Sequence, residues 1–162
     1  KFQFISSIKW IDFVTVVGPK NSLQKMEQIL APLATRQQKR FDCIVGDSSR
    51  HLSISNGLAH LEKQNPDIVI VHDGARPIVD QDTLHRLVSA AHIHGACGII
   101  CRLTSTILKA DEESEGDLWK LKRALNRYEY MASETPQAFR TEVLIDAYQR
   151  VRNIVNISYI FI

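Results

Sequence analysis

An acid and a base three residues apart, Asp73 and Arg76, stand in the run Val71-His72-Asp73-Gly74-Ala75-Arg76-Pro77, directly behind the β-branched stretch DIVIV at 67–71. A carboxylate in such a loop can accept from sugar hydroxyls or help hold a metal, and a guanidinium can clamp a phosphate. Gly74 and Ala75 leave main-chain groups accessible to a nucleotide. The plainer alternative is that Asp73 and Arg76 pair with each other and cap the next helix, but a loop position favours function over packing. Asp73 and Arg76 are therefore the catalytic candidates.

A second candidate surface begins at Gly46-Asp47-Ser48-Ser49-Arg50 and continues into His51-Leu52-Ser53-Ile54. A helix opening here turns free N–H groups and the Ser53 hydroxyl outward, where an anion or a base edge could sit. A serine at a helix start is also commonly just a cap. The segment is not a P-loop, because neither its Gly spacing nor a Lys-Ser/Thr pair is present. Thr135-Pro136-Gln137-Ala138-Phe139 reads as a polar loop entering the last helix, with Arg127 eight residues before Thr135. Alone, Thr-Pro-Gln is only a turn signal. The six histidines (His51, His60, His72, His85, His92 and His94) lack metalloprotease spacing, and no metal ligand is assigned among them.

These residues need elements to position them. Residues 12–17 read as a buried strand closed by Gly18-Pro19, and Ser22 is a plausible cap for a helix with Leu23, Met26, Ile29, Leu30 and Leu33 on one face. A strand at 41–45 ends at Gly46, and a helix follows with Ile54, Leu58 and Leu61 inward. Residues 67–71 form the strongest strand, apolar on both faces as in a covered parallel sheet. A helix at 82–94 ends at Gly95, a strand spans 98–103, and the last helix covers 141–151. Between them, 106–127 reads as a hairpin-like excursion with an acidic turn at 111–117. Repeated strand-helix units imply an α/β fold, a Rossmann-like parallel sheet with helices on both faces. In such sheets ligands gather beyond the carboxyl ends of the strands, where 46–53 and 72–77 fall.

Composition sets the frame. The 162 residues are 44% apolar and 23% charged, enough for one domain with a real core. Twenty basic against 18 acidic side chains, without a dense basic tract, argue against nucleic-acid binding. No apolar run approaches a membrane span, and residues 1–8 resemble no leader peptide. Cys43, Cys97 and Cys101 suit neither a disulfide framework nor a paired metal site and read as buried thiols in a reducing cytoplasm. A first residue of Lys and an apolar, β-prone tail at 154–162 give the chain the look of a partial domain.

Taken together, Gly46 with Arg50-x-x-Ser53-Ile54-x-x-Gly57-Leu58, the Val71 to Pro77 run, Ser105-Thr106, Arg127 and Thr135-Pro136-Gln137-Ala138-Phe139 resemble the 2-C-methyl-D-erythritol 4-phosphate cytidylyltransferases and their relatives acting on ribitol 5-phosphate. The likeness runs from about residue 10 to 150, and its order and spacing are specific. It implies a nucleotide-diphospho-sugar transferase fold and transfer of CMP from CTP, with Mg²⁺, to a polyol phosphate, releasing pyrophosphate. Gly46, Arg50, Ser53 and Gly74 would contact CTP. Asp73 would lie between nucleotide and acceptor, and Arg76, Thr106, Arg127 and Thr135 would take the polyol phosphate. An arm at about 104–133 would swap between subunits of a homodimer.

The sequence departs from that family in two respects. A Gly-rich loop with Arg and Lys, expected before the first strand, is not among these residues, nor is a late basic residue; Lys20 lies after the first strand and does not replace the loop. The reading is therefore of an N-terminally truncated domain. Residues 133–139, Ala147-Tyr148-Gln149 and Arg50-His51 look more like the animal-type ribitol enzyme than the bacterial erythritol one. Alternatives are the erythritol enzyme, an inactive remnant kept as a binding or dimerisation module, and a generic nucleotide-binding domain.

Overall fold

The computed structural model describes residues 2–37, 40–111 and 118–153. A short helix, α1 (Phe2–Ser7), leads into β1 (Phe13–Gly18), and α2 (Leu23–Gln37) crosses to β2 (Arg40–Val45). β1 and β2 are parallel, in register from Phe13 opposite Arg40 to Gly18 opposite Val45. α3 (Arg50–Leu61) and β3 (Ile68–Val71) follow, then α4 (Gln81–His94) and β4 (Ala96–Arg102). β5 (Ile107–Ala110) and β6 (Leu121–Leu125) form an antiparallel hairpin, and β7 (Met131–Arg140) runs into α5 (Thr141–Asn153).

Strand β7 lies between β3 and β4 and is antiparallel to both. Its side chains alternate between faces, as strand geometry requires. Phe139 packs with Leu58 of α3, Val69, and Leu144 and Tyr148 of α5. Ala138, next along the strand, packs against Leu87 and Ala91 of α4 on the other side. Helices therefore cover both faces, and burying each large apolar side chain contributes roughly 1.5–3 kcal/mol.

The strand–helix alternation expected up to residue 103 is present, with edges displaced by one or two residues. Residues 135–139 are a correction, since they lie inside β7 and not in a loop entering the last helix. A proline in a central strand argues against a strand, because it cannot donate to a ladder. Here the pairing steps from Ile99 opposite Glu134 to Gly98 opposite Gln137, leaving Thr135 and Pro136 out of the β4 ladder. The β3 ladder ends at Val71 opposite Gln137, so neither neighbour asks Pro136 for an N–H. The Thr135–Pro136 peptide is cis.

Other local readings also shift. Ser22 closes a 3-10 turn, Lys20–Ser22, in place of capping α2 with its hydroxyl. α4 is capped by Asp80, which accepts from the Thr83 N–H at 2.8 Å and hydroxyl at 2.6 Å. It ends at Gly95, whose φ of 87° places it where a side chain would be strained. Cys43 and Cys97 are half-buried, but Cys101 is exposed on the outer half of β4, which corrects its assignment as a buried thiol. Burial, with the negative charges of Glu27 and Asp42, pushes the Cys43 thiol up, keeping it protonated.

The excursion between β4 and β7 is a hairpin, as expected. Of its acidic turn, residues 112–117 lie outside the described residues, as does the apolar tail at 154–162. No helix among the described residues is long and apolar enough to cross a membrane.

Candidate functional site

A cavity of about 630 Å³ lies between β1 and β3. It is lined by Phe13 to Val17 along β1 and by Ile68 to Val71 along β3, with Leu58 of α3 and Leu84 of α4 among its walls. Among the described residues β1 pairs with β2 and β3 with β7, so these linings are the other edges of both strands. Near the carboxyl ends of the strands the cavity reaches Arg50, Ser53, His72, Asp73 and Gly74. The two loops singled out from sequence thus meet at one mouth.

Gly46 begins the first loop, and its N–H donates to the Gly18 carbonyl at 2.8 Å, tying the ends of β1 and β2 together. A Cβ on Gly46 would stand 2.8 Å from the Ser53 hydroxyl oxygen, so the approach needs glycine. That hydroxyl accepts from the Asp47 N–H at 2.9 Å and donates to the Ser49 carbonyl at 2.9 Å. It is turned back onto the loop and is not presented outward. Nor is Ser53 the cap, since Ser49 occupies that position with extended backbone angles. Hydrogen bonds from the Ser48 N–H and hydroxyl hold the Asp47 carboxyl below the usual range.

The second loop follows β3. The Arg76 N–H donates to the Asp73 carbonyl at 3.1 Å, and the His72 Nε2 lies 3.0 Å from the Arg76 carbonyl, closing a tight turn. Inside it, Gly74 has open space where a Cβ would stand. Asp73 reaches two arginines. Arg50 places Nε at 2.9 Å and Nη2 at 2.7 Å from Oδ1, while Arg76 Nε stands 3.5 Å from Oδ2. Partial burial raises the Asp73 carboxyl pKa, but the Arg50 hydrogen bond and charge, with Arg76 and His72, outweigh it and hold the group below its ordinary range. The pairing of Asp73 with Arg76 that the plainer alternative called for is present, while the capping role it assigned falls to Asp80.

Strand β7 supplies the third side. Thr135 Oγ1 accepts from the Asp73 N–H at 3.3 Å, and Arg76 Nη1 meets the Glu134 carboxylate. The step in the β4 ladder leaves Thr135 free of that ladder beside Asp73. Arg50, Asp73, Arg76 and Glu134 form a row of alternating charges, two positive and two negative. Glu134 did not stand out in the sequence. Its adjacency to Thr135 was the available signal, and only the ladder step makes it useful.

Thr106 and Arg127 belong to a different place, the foot of the hairpin. Arg127 Nη1 donates to the Thr104 carbonyl at 2.7 Å, and its guanidinium lies 5.4 Å from the Tyr128 ring centroid. The structure thus brings Gly46, Arg50, Ser53, Asp73, Gly74, Arg76 and Thr135 around one mouth, with Thr106 and Arg127 grouped at the hairpin. Among the described residues no cluster of three or more His, Cys, Asp or Glu could hold a metal by itself.

The family model for IspD, 2-C-methyl-D-erythritol 4-phosphate cytidylyltransferase, matches residues 2–158. The D-ribitol-5-phosphate cytidylyltransferase of Mus musculus is 34% identical over 155 residues, 91% of this chain and 33% of its own length. The 2-C-methyl-D-erythritol 4-phosphate cytidylyltransferase of Geobacillus kaustophilus (strain HTA426) is 36% identical over 139 residues, 86% of this chain and 56% of its own. Among solved structures, 4-diphosphocytidyl-2C-methyl-D-erythritolsynthase from Anaerococcus prevotii DSM 20548 superposes with a TM-score of 0.74 at 22% identity, over 96% of this chain and 64% of that one. That likeness shows the fold. The chain spans 33% of the length of its mouse relative.

Proposed function

This chain belongs to the 2-C-methyl-D-erythritol 4-phosphate cytidylyltransferase family, and on that premise we propose that its site transfers CMP from CTP to a polyol phosphate, D-ribitol 5-phosphate in preference. The supporting observation is Asp73, held at once by Arg50 of the first loop and Arg76 of the second. One carboxylate thereby joins the surface assigned to CTP to the surface assigned to the acceptor.

In the proposed reaction a phosphate oxygen of the acceptor attacks the α-phosphorus of CTP. A new P–O bond forms, the bond from α-phosphorus to the bridging oxygen breaks, and pyrophosphate leaves with the electron pair. Little covalent work falls to the protein, which has to bring two polyanions together and spread their charge. Arg76 offers its planar fork to the acceptor phosphate, and Thr135 fixes the loop through the Asp73 N–H. Gly46, Ser53 and Gly74 keep main chain close to the nucleotide, with Arg50 beside the phosphates.

Mg²⁺ commonly takes one or two carboxylates and fills its other positions from substrate phosphates and water; Asp73, whose Oδ1 is taken by Arg50, would offer it Oδ2, which Arg76 faces at the longer distance of 3.5 Å. Bound there with CTP, the ion would neutralise phosphate charge. Thr106 and Arg127, at the hairpin foot, are read as acceptor-phosphate contacts made across a homodimer through the arm. The exposed Leu118, Trp119 and Leu121 support that partner surface. The ribitol preference is supported by the 34% identity to the mouse ribitol enzyme over 91% of this chain. The erythritol phosphate reading has its own support in the 36% identity to the Geobacillus enzyme.

Pyrophosphate release from CTP, measured with each acceptor in turn, tests the proposal. Faster release with ribitol 5-phosphate is expected. Faster release with methylerythritol phosphate reverses the acceptor assignment, and release with neither leaves the chain as a binding or dimerisation module.

A further inference from the structure

We propose that Glu134 sets the affinity for the acceptor by competing with the incoming phosphate for Arg76. The inference rests on the reading of Arg76 as the phosphate anchor and adds a residue to that site.

Arg76 is held from two sides, by Asp73 Oδ2 at 3.5 Å and by the Glu134 carboxylate. Two of its nitrogens, Nε and Nη1, thus already face carboxylate oxygens, the groups that most resemble a phosphate in geometry and charge. The row from Arg50 through Glu134 carries no net charge, so a phosphate finds guanidinium groups whose charge is already matched. Binding requires one carboxylate to let go. Asp73 has a second anchor, since Arg50 holds it by two nitrogens wherever Arg76 points. Glu134 is tied to this row through Arg76.

The backbone prevents Glu134 from following. Its residue is fixed opposite Ile99, the point where the β4 ladder resumes after the step over Thr135 and Pro136. When Arg76 turns toward a phosphate, the carboxylate stays behind as a fixed negative charge beside the ligand. Its side chain is 25% exposed against 48% for Arg76, so water screens it less than the group it holds. Glu134 acts as both competitor and repulsive neighbour, and a phosphomonoester displaces it better than a singly charged ester does.

The test is calorimetric titration of the full chain and its Glu134→Gln variant with ribitol 5-phosphate and, separately, inorganic phosphate. Glu134→Gln keeps the shape and removes the charge, and Glu134→Ala serves as a second variant. Binding of both ligands should tighten by about two- to five-fold, the scale of one partly exposed ion pair. In an Arg76→Ala background the same substitution should change affinity by less than about half as much, because a coupled pair is non-additive. A merely structural Glu134 would move the melting temperature and leave that coupling at zero. Unchanged or weaker binding in both Glu134 variants overturns the proposal alone. If neither the parent chain nor the variants bind either phosphate, the reading of Arg76 falls with it.

Discussion

Arg50 and Asp73, 23 residues apart in sequence, are joined by two contacts to one carboxylate oxygen, from Nε at 2.9 Å and from Nη2 at 2.7 Å. The pair crosses from the start of α3 to the loop behind β3, and so binds together the two segments that border the cavity mouth. It also fixes which face of Asp73 remains toward Arg76. An arginine that grips a carboxylate from this angle orients it as well as neutralising it.

Removing that grip should let the Asp73 carboxyl titrate higher. In Arg50→Ala, burial still raises the pKa while its largest opposing partner is gone. Carbon-detected NMR titration of Asp73 in both proteins should show the upward movement. The parent carboxyl is depressed when folded, so its stabilisation is present above the unfolded pKa and fades as pH falls through the folded value. With a third of the side chain exposed, that contribution is about 0.5 kcal/mol or less. Equal titration in both proteins would contradict the assigned cause.

Gly46→Ala should destabilise the chain by roughly 1–3 kcal/mol, because the added Cβ meets the Ser53 oxygen at 2.8 Å. Much of the clash is with that one atom, and the Ser53 Cβ lies farther off at 3.4 Å. Gly46→Ala combined with Ser53→Ala should therefore cost less than the sum of the two singles in urea denaturation. Strict additivity would mean that Ser53 is not what confines position 46.

Leu144, 2% exposed, packs with Phe139 and Tyr148 and also lines the large cavity. Leu144→Ala should cost about 2–5 kcal/mol, the range for emptying a buried leucine site. A loss under about 1 kcal/mol in the same denaturation assay would show that the inner face of α5 is less packed than described.

The apolar hairpin offers a separate check. Trp119→Arg replaces the exposed indole with a charge between Leu118 and Leu121. Sedimentation velocity should show the parent chain as a dimer and the variant shifted toward monomer. Identical monomeric profiles would remove the arm from the proposed site, and with it the role of Arg127.

Much of the fold was legible because its early strands are apolar runs followed by periodic helices, signals that survive without tertiary context. β7 was not legible for a physical reason. Ser133-Glu134-Thr135-Pro136-Gln137 carries polar groups and a proline, and these become strand-compatible only through the step in the β4 ladder. The helix α1 was missed because six residues are too few to establish a helical period. At the site, Asp73, Arg76 and Arg50 were visible as charges stranded in loops. The orientation of Ser53 depends on how its own loop folds back onto the hydroxyl, and the contact of Glu134 with Arg76 joins two distant segments, neither of which spacing along the chain reveals.

The most direct test is ³¹P NMR of the chain incubated with CTP, Mg²⁺ and ribitol 5-phosphate. The expected result is loss of the acceptor phosphomonoester resonance, growth of diphosphate-diester resonances from a CDP-alcohol, and release of one pyrophosphate for each molecule joined. Asp73→Asn should slow all three together by roughly 10²-fold or more, the scale of losing a positioned electrostatic group. A spectrum in which CTP and the acceptor persist unchanged, or turnover that Asp73→Asn leaves intact, would contradict it.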